Sequence, residues 1–438
     1  MRLVRSGAST TGGTDVRPIL HFTAASGWIN DPHGITFHDG VYHLFHQYVP
    51  NSTVWAPNCH WGHAVGGDLL AWEHRPVALA PGEGDDGIWT GSLVRHDDGS
   101  TRILYTSVVQ PGIGIGRIRV ATPEDDSWTT WAKGDVLIEA PAGLDLIAYR
   151  DPFVMRDGEG WRMFVGAADS VGLAMALTYT SADLEHWDYD GVAVSRSTGE
   201  TEPVWTGALW ECPQFFEIEG RWIMVSSIWD DDVLHHAGYG IGQLVEGRFE
   251  ADSWGQLSFG DSYYAPSFFR DREGRPCLMF WMRGVSDPAE GWASCLSLPY
   301  VLSVHGDRLV AEPHPDVNGR RGPGGTADST FDMLWDPAPD GDLLVLRSQE
   351  AESAVVSVRD GILRLDRPGQ KSVQMPWTQG SVRVVVDGPV IEIASVDGLL
   401  GGAIEPVRQI MPTQGESRTW TLTRTVASGR AGRSGSSR

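Results

Sequence analysis

Short stretches in which apolar and polar residues alternate, each closed by a turn carrying glycine, run through about the first 300 residues. Asn30-Asp31-Pro32 is followed by four mostly apolar residues, a turn ending at Gly40 and the strand-like Val41-Tyr42-His43-Leu44-Phe45. The same order returns at Arg150-Asp151-Pro152, with Gly160 and Trp161 to Val165, and at Glu211-Cys212-Pro213, with Gly220 and Arg221 to Val225. Tyr264-Ala265-Pro266 with Gly274 and a strand through Leu278 to Trp281 makes a fourth copy. Thr90-Gly91-Ser92, with a turn at Asp97-Asp98-Gly99 and then Ile103-Leu104-Tyr105, makes the weakest. Residues 31, 90, 151, 211 and 265 each stand nine positions before a turn glycine, and the copies are spaced by 59, 61, 60 and 54 residues. Period-two alternation bounded by turn residues predicts strands, and no 3.6-residue period competes. Five four-stranded units set radially make a β-propeller, whose first strands line a central channel.

That pattern fades after Leu298-Pro299, which sets a five-bladed propeller over 18–312. Residues 313–330, rich in Pro and Gly, read as a linker. Alternation resumes at Leu343 to Leu346, Val355 to Val358, Val382 to Val386 and Val390 to Ile393, predicting a small β-sandwich over 331–425. The Gly-, Ser- and Arg-rich 426–438 reads as a disordered tail. A chain of 438 residues has room for two such cores.

Composition narrows the partner. A formal charge of −23 disfavours nucleic acid and anionic membranes, both of which need a basic surface. No run approaches the 18 or so apolar residues of a membrane span, and the first 18 residues hold no apolar core of a secretory leader. Cys59, Cys212, Cys277 and Cys295 lie far apart, without metal-ligand spacing, so reduced thiols and a cytoplasmic location are expected. The 19 tryptophans suit either packing between sheets or stacking on sugar rings.

Equivalent slots in a propeller lie at one depth around one axis, so Asp31, Asp151 and Glu211 are expected to converge. Taken singly, an Asp before Pro is a turn former. Thr90 and Ala265 hold the corresponding places in two other units, so the fold itself does not require a carboxylate there. Crowded carboxylates repel, and one of them is thereby driven to keep its proton. That division suits glycosidic cleavage, where one acid is ionised and another protonated. A calcium site would favour acids close together in one flexible loop, and no such run occurs.

Gly27-Trp28-Ile29-Asn30-Asp31-Pro32-His33-Gly34 resembles the Trp-Met-Asn-Asp-Pro-Asn-Gly signature of glycoside hydrolase family 32, the invertases, inulinases and levanases. Arg150-Asp151-Pro152 and Glu211-Cys212-Pro213 resemble its Arg-Asp-Pro and Glu-Cys motifs. Gln47-Tyr48, Trp61-Gly62-His63-Ala64, Trp89-Thr90-Gly91-Ser92 and Tyr264-Ala265-Pro266 also match, over roughly residues 20–305. The resemblance implies a retaining hydrolase that frees terminal fructosyl units from sucrose or fructans, a C-terminal β-sandwich, and no metal or cofactor. By it Asp31 is the nucleophile, Glu211 the general acid and base, and Asp151 the residue that grips the fructosyl hydroxyls with Arg150. Asn30, Gln47, Trp55, Trp89, Thr90, Tyr264 and Trp281 match positions that line the sugar pocket. His33, His46, Ser258 and Ser262 depart from the usual residues. Fructosyl transfer, internal chain cleavage and a catalytically dead sugar-binding propeller are the competing outcomes, although the last would normally lack one of the three acids.

Overall fold

The computed structural model describes residues 17–322, 329–339 and 341–424. The expected tail at 426–438, and residues 323–328 of the expected linker, lie outside them. Three consecutive four-stranded antiparallel sheets begin with the strands Gly87–Arg95, Leu146–Asp157 and Leu209–Ile218. A larger sheet joins the four strands that begin at Gly27–His38 to the group that begins at Tyr263–Arg270. The join is a parallel pairing of Gly27 and Trp28 with Trp292 and Ala293. Each of the five first strands packs against the first strand of the next sheet, and Tyr263–Arg270 packs back against Gly27–His38. This closed ring of inner strands is a β-propeller, an arrangement that hides sheet edges.

Two five-stranded sheets follow. One runs in the order Gly398–Ala403, Val390–Ser395, Val382–Asp387, Thr330–Asp336, Glu416–Thr421. The other runs Val373–Pro376, Ile362–Asp366, Glu352–Arg359, Asp342–Arg347, Gln409–Ile410. Alternate residues of both, among them Trp335, Leu344, Val356, Leu365, Val384 and Ile393, form one buried core. Each such side chain contributes about 1.5–3 kcal/mol on leaving water. The pair is a β-sandwich.

Residues 313–322 are not the free linker that Pro and Gly suggest. Pro315–Asn318 forms a single helical turn, and His314, Val317 and Arg320 are buried. The Arg320 guanidinium donates to Asp68 at 2.5 Å, and Arg321 bridges to Leu422. One apolar anchor and one ion pair override the composition.

A buried cluster ties propeller to sandwich. His21 Nδ1 lies 2.8 Å from Asp387 Oδ2, and His21 Nε2 lies 2.6 Å from Glu392 Oε1. Asp387 also accepts the backbone N–H groups of Ile19, Leu20 and His21. Burial alone would lower the pKa of His21, but hydrogen bonds to the two carboxylates and their charges outweigh it and raise it to about 9. Three other histidines, His43 and His46 on the strand Val41–Val49 and His63 on His60–Gly66, are buried without such partners. Burial lowers His43 to about 4, and His46 and His63 to about 3.

These shifts set the pH dependence of stability. A raised histidine pKa contributes stability that is complete below about 6.5 and lost as pH rises through about 9, on the order of 3 kcal/mol for His21. The lowered histidines act in the opposite sense, because below about 6.5 the unfolded chain takes up protons that the folded chain refuses. The melting temperature should therefore peak near pH 6.5 and fall on both sides. His21→Gln should remove the fall between about pH 6.5 and 9, as read by thermal unfolding from pH 5 to 9. A flat alkaline limb in the unsubstituted protein would contradict this reading of the cluster.

Candidate active site

Each inner strand breaks register with its hairpin partner at a corresponding place, and two of them break it a second time. Asn30 pairs with Gln47 and Pro32 with His46, which leaves Asp31 outside the ladder. Trp89 pairs with Thr106 and Gly91 with Tyr105, which leaves out Thr90. The breaks between Arg150 and Phe153, Glu211 and Gln214, and Tyr264 and Ser267 leave out Asp151-Pro152, Cys212-Pro213 and Ala265-Pro266. These are β-bulges, which re-aim a side chain where pairing stops. Proline suits them because it has no N–H to give the ladder. Asp151, Cys212 and Ala265 have φ of 66°, 51° and 47°, a left-handed conformation costly for residues with a Cβ.

The register corrects one expectation. Counting back from the turn glycine puts Glu211 in one slot with Asp31 and Asp151, but the bulge residue of that strand is Cys212. Glu211 corresponds instead to Asn30, Trp89, Arg150 and Tyr264, the last paired residues before each bulge. The count misleads because the glycine takes a different place in turns of equal length. Gly40 and Gly220 close two-residue turns, whereas Gly160 already lies in the following strand.

The residue across the hairpin from that last pair locks the next sheet. Thr106 Oγ1 accepts the Asp151 N–H at 2.8 Å and donates to the Thr90 carbonyl at 2.9 Å. Ser227 Oγ accepts the Ala265 N–H at 2.7 Å. Gln47 Nε2 reaches Thr90 Oγ1 at 2.5 Å. In the third sheet the position is Gly166, where a Cβ would lie 2.3 Å from the Trp210 carbonyl. With no side chain to receive it there, the Cys212 N–H donates to Asp151 Oδ2 at 2.9 Å.

The three acids do converge. Asp31 Oδ2 accepts from Thr90 Oγ1 at 2.7 Å and Gln47 Nε2 at 3.1 Å, and Asp31 Oδ1 accepts from Asn30 Nδ2 at 3.0 Å. Trp28 Nε1 fixes the Asn30 amide by donating to its oxygen at 3.0 Å. The Cys212 sulfur stands 3.8 Å from one oxygen of Asp31 and one of Asp151. Glu211 Oε1 accepts from Arg150 Nη2 at 2.8 Å and Nε at 3.1 Å, and Glu211 Oε2 accepts from Tyr264 Oη at 2.5 Å.

Burial pushes the Asp151 carboxyl up to about 7, opposed by the Arg150 guanidinium and reinforced by the charges of Glu211 and Asp31. Burial also raises Asp31, with hydrogen bonds from Asn30 and Thr90 pulling back and the Glu211 charge adding to the rise. The pocket thus stores a proton near neutral pH, which is what acid catalysis requires.

The remaining sequence candidates lie around these acids. Trp281 is buried, 5.6 Å from the Trp28 ring and 6.2 Å from the Tyr264 ring. Trp55 is 41% exposed and meets Trp89 edge-on at 5.9 Å, and Arg150 lies 6.0 Å over the Trp89 ring. Cys212, Thr106 and Ser227 were not singled out from the sequence. The sign of the last two was a hydroxyl residue opposite the last pair before the bulge. The departures from the usual motifs are accommodated by packing. The His33 ring lies against Trp61, tilted by 41° with 3.8 Å between centroids, and His46 fits against Gly62, where a Cβ would lie 2.3 Å from its ring. Among the described residues, Asp271, Cys277 and His314 are close enough to hold an ion. Asp271 is already paired there with Arg275 at 2.5 Å and His314 at 3.0 Å.

A propeller whose inner strands deliver three carboxylates, one guanidinium and an aromatic rim to one axis is the centre of a carbohydrate-cleaving enzyme. Comparison with known proteins agrees. Residues 21–313 match the N-terminal domain of glycosyl hydrolases family 32. The sucrose-6-phosphate hydrolase of Escherichia coli is 32% identical over 332 residues, 70% of this chain and 67% of that protein. The levanase of Bacillus subtilis is 30% identical over 345 residues, 70% of this chain and 48% of that one. In fold, the family 32 β-fructofuranosidase of Bombyx mori superposes with a TM-score of 0.81 over 93% of this chain and 94% of its own, at 24% identity. The chain belongs to glycoside hydrolase family 32 and hydrolyses terminal β-fructofuranosyl residues. Among the described residues no helix is long and apolar enough to cross a membrane.

The inter-sheet contact at Gly166 yields a direct test. Gly166→Ala should drive the Trp210 carbonyl, and with it Glu211, away from the axis. The expected cost is about 1–3 kcal/mol in urea unfolding. Turnover of sucrose should fall by up to roughly 10²-fold, because small misplacements of catalytic groups are expensive. Full activity in Gly166→Ala would show that the close approach does not set the acid's position.

Proposed function

We propose that this chain is a retaining, exo-acting β-fructofuranosidase in which Asp31 is the nucleophile and Glu211 the general acid and base. Asp151 and Arg150 grip the hydroxyls of the fructosyl ring. Asn30, Gln47, Thr90 and Tyr264 orient the acids, and Trp55, Trp89 and Trp281 frame the sugar. The observation that carries this reading is the unlike settings of the carboxylates. Asp31 is held by three neutral donors, which favour an anion of fixed direction. Glu211 is held by a guanidinium and a phenol and is 19% exposed.

A fructosyl ring that draws Arg150 onto its hydroxyls leaves Glu211 beside Asp31 and Asp151. Asp31 then attacks the anomeric carbon, the bond to the leaving oxygen breaks, and that oxygen takes the Glu211 proton. Glu211, now a carboxylate, deprotonates a water that attacks the same carbon and frees Asp31. Two inversions leave the product with the β configuration.

The architecture we infer is five-bladed, a propeller over 18–312 and a sandwich over 331–425. It is supported by the five first strands that touch in one closed ring. A channel closed on all sides admits a chain end more readily than a mid-chain segment. A second reading, sucrose 6-phosphate as preferred substrate, is favoured by relatives that carry that name, including those of Escherichia coli and Zymomonas mobilis. The net charge of −23 opposes it at long range.

One set of incubations decides among these. With sucrose, NMR in the first minutes should show β-fructofuranose before the α anomer. Free fructose should be the first product from inulin and levan, without a ladder of oligomers or higher transfer products. Sucrose should be turned over at least as well as sucrose 6-phosphate. Early α anomer would overturn the nucleophile, an immediate ladder the exo mode, and a strong preference for the phosphate ester the neutral substrate.

A further inference from the structure

The sandwich reaches the catalytic acid through one side chain. Glu392, on the strand Val390–Ser395, is buried and receives four donors from outside its own domain. Its Oε1 accepts the Leu298 N–H at 2.7 Å and lies 2.6 Å from His21 Nε2. Its Oε2 accepts from Tyr263 Oη at 2.7 Å and from Tyr300 Oη, and the two phenols lie 3.0 Å apart. Tyr263 immediately precedes Tyr264, whose hydroxyl holds Glu211 at 2.5 Å. The two rings leave the strand on opposite faces, as successive strand residues do. Fixing one therefore fixes the other.

The surroundings point the same way. Gly401 lies against the Tyr263 ring, where a Cβ would come within 3.1 Å, so the sandwich backbone makes room for it. The segment that leads into Tyr263 is bound to the same sheet. The Phe259 N–H donates to the Leu399 carbonyl at 2.9 Å, and the Leu399 N–H donates to the Leu257 carbonyl at 3.0 Å. The Arg283 guanidinium lies 4.9 Å over the Tyr264 ring. The strand that carries the two tyrosines is thus held by the sandwich at Tyr263 and by the propeller at Tyr264.

We propose that Glu392 is a positioning residue for the acid step: by holding Tyr263, the C-terminal sandwich sets the place of Tyr264 and so of Glu211. This rests on the reading of Glu211 as the general acid. The role extends to the steps that use Glu211 and not to the nucleophile, since Asp31 and its donors come from other strands.

The test compares sucrose, whose leaving group needs a proton, with 4-nitrophenyl β-fructofuranoside, whose leaving group hardly does. Glu211→Gln should lose about 10²–10⁴-fold in kcat/KM on sucrose and far less in kcat/KM on the nitrophenyl substrate, a ratio that reads bond cleavage and not the later attack of water. Equal losses of kcat/KM on both would refute the acid assignment itself. Given the expected Glu211 result, Glu392→Gln should lower kcat/KM on sucrose by about tenfold and leave kcat/KM on the nitrophenyl substrate nearly unchanged. Tyr263→Phe, which keeps the packing, should show the same pattern and serves if Glu392→Gln fails to fold. Combined with Tyr264→Phe, either substitution should add nothing further on sucrose, because both act through that hydroxyl. Equal losses on the two substrates, no loss at all, or additivity with Tyr264→Phe would overturn the proposal.

Discussion

Everything at the centre of this molecule depends on a break in backbone pairing that recurs at a corresponding place in every inner strand. At each such break one or two residues leave the ladder, and the N–H groups freed at Asp151, Cys212 and Ala265 are taken up by a neighbouring sheet. A buried N–H without a partner costs roughly 1–3 kcal/mol, so the cross-links between sheets are required as well as useful. The same hydrogen bonds that satisfy the backbone therefore fix how far each inner strand stands from the next. Catalytic geometry follows from the solution to a packing problem, and Thr106 and Ser227 belong to the site although they carry no charge.

The electrostatics follow from that geometry. Three acids crowd one axis, and burial together with their mutual repulsion raises the carboxyls of Asp31 and Asp151 above the usual range. The pocket separates their duties by what each touches. Asp31 is surrounded by amide and hydroxyl donors, Asp151 by a backbone N–H and the Cys212 thiol, and Glu211 by Arg150 and Tyr264. Removing one donor would redistribute a proton among all three, so substitutions here should not be read one residue at a time.

Much of this was legible in the chain. Alternation and spaced turns gave the units, and the acids stood out because Thr90 and Ala265 occupy the same places without charge. What the spacing could not give was register. Glycine marks a turn but not which place it takes there, so counting back from Gly160, already in the strand, and from Gly220, still in the turn, treated unlike positions as alike and put Glu211 one place out. Nor could composition reveal that 313–322 is held down, because one buried Val317 and one guanidinium on Asp68 weigh little in an average. The contacts from Glu392 to Tyr263 and from Glu392 to His21 join residues 129 and 371 positions apart, beyond the reach of any local pattern.

The claim on which the account stands is that the bulge at Asp31 presents a nucleophile. Its most direct test is to trap the intermediate: Glu211→Gln, which slows the second step, incubated briefly with 4-nitrophenyl β-fructofuranoside, quenched in acid and mapped by peptide mass spectrometry. The account predicts a single added fructosyl group on the peptide carrying Asp31, and none in Asp31→Asn. A fructosyl group on Asp151, or turnover of the activated substrate by Asp31→Asn at an undiminished rate, would contradict it.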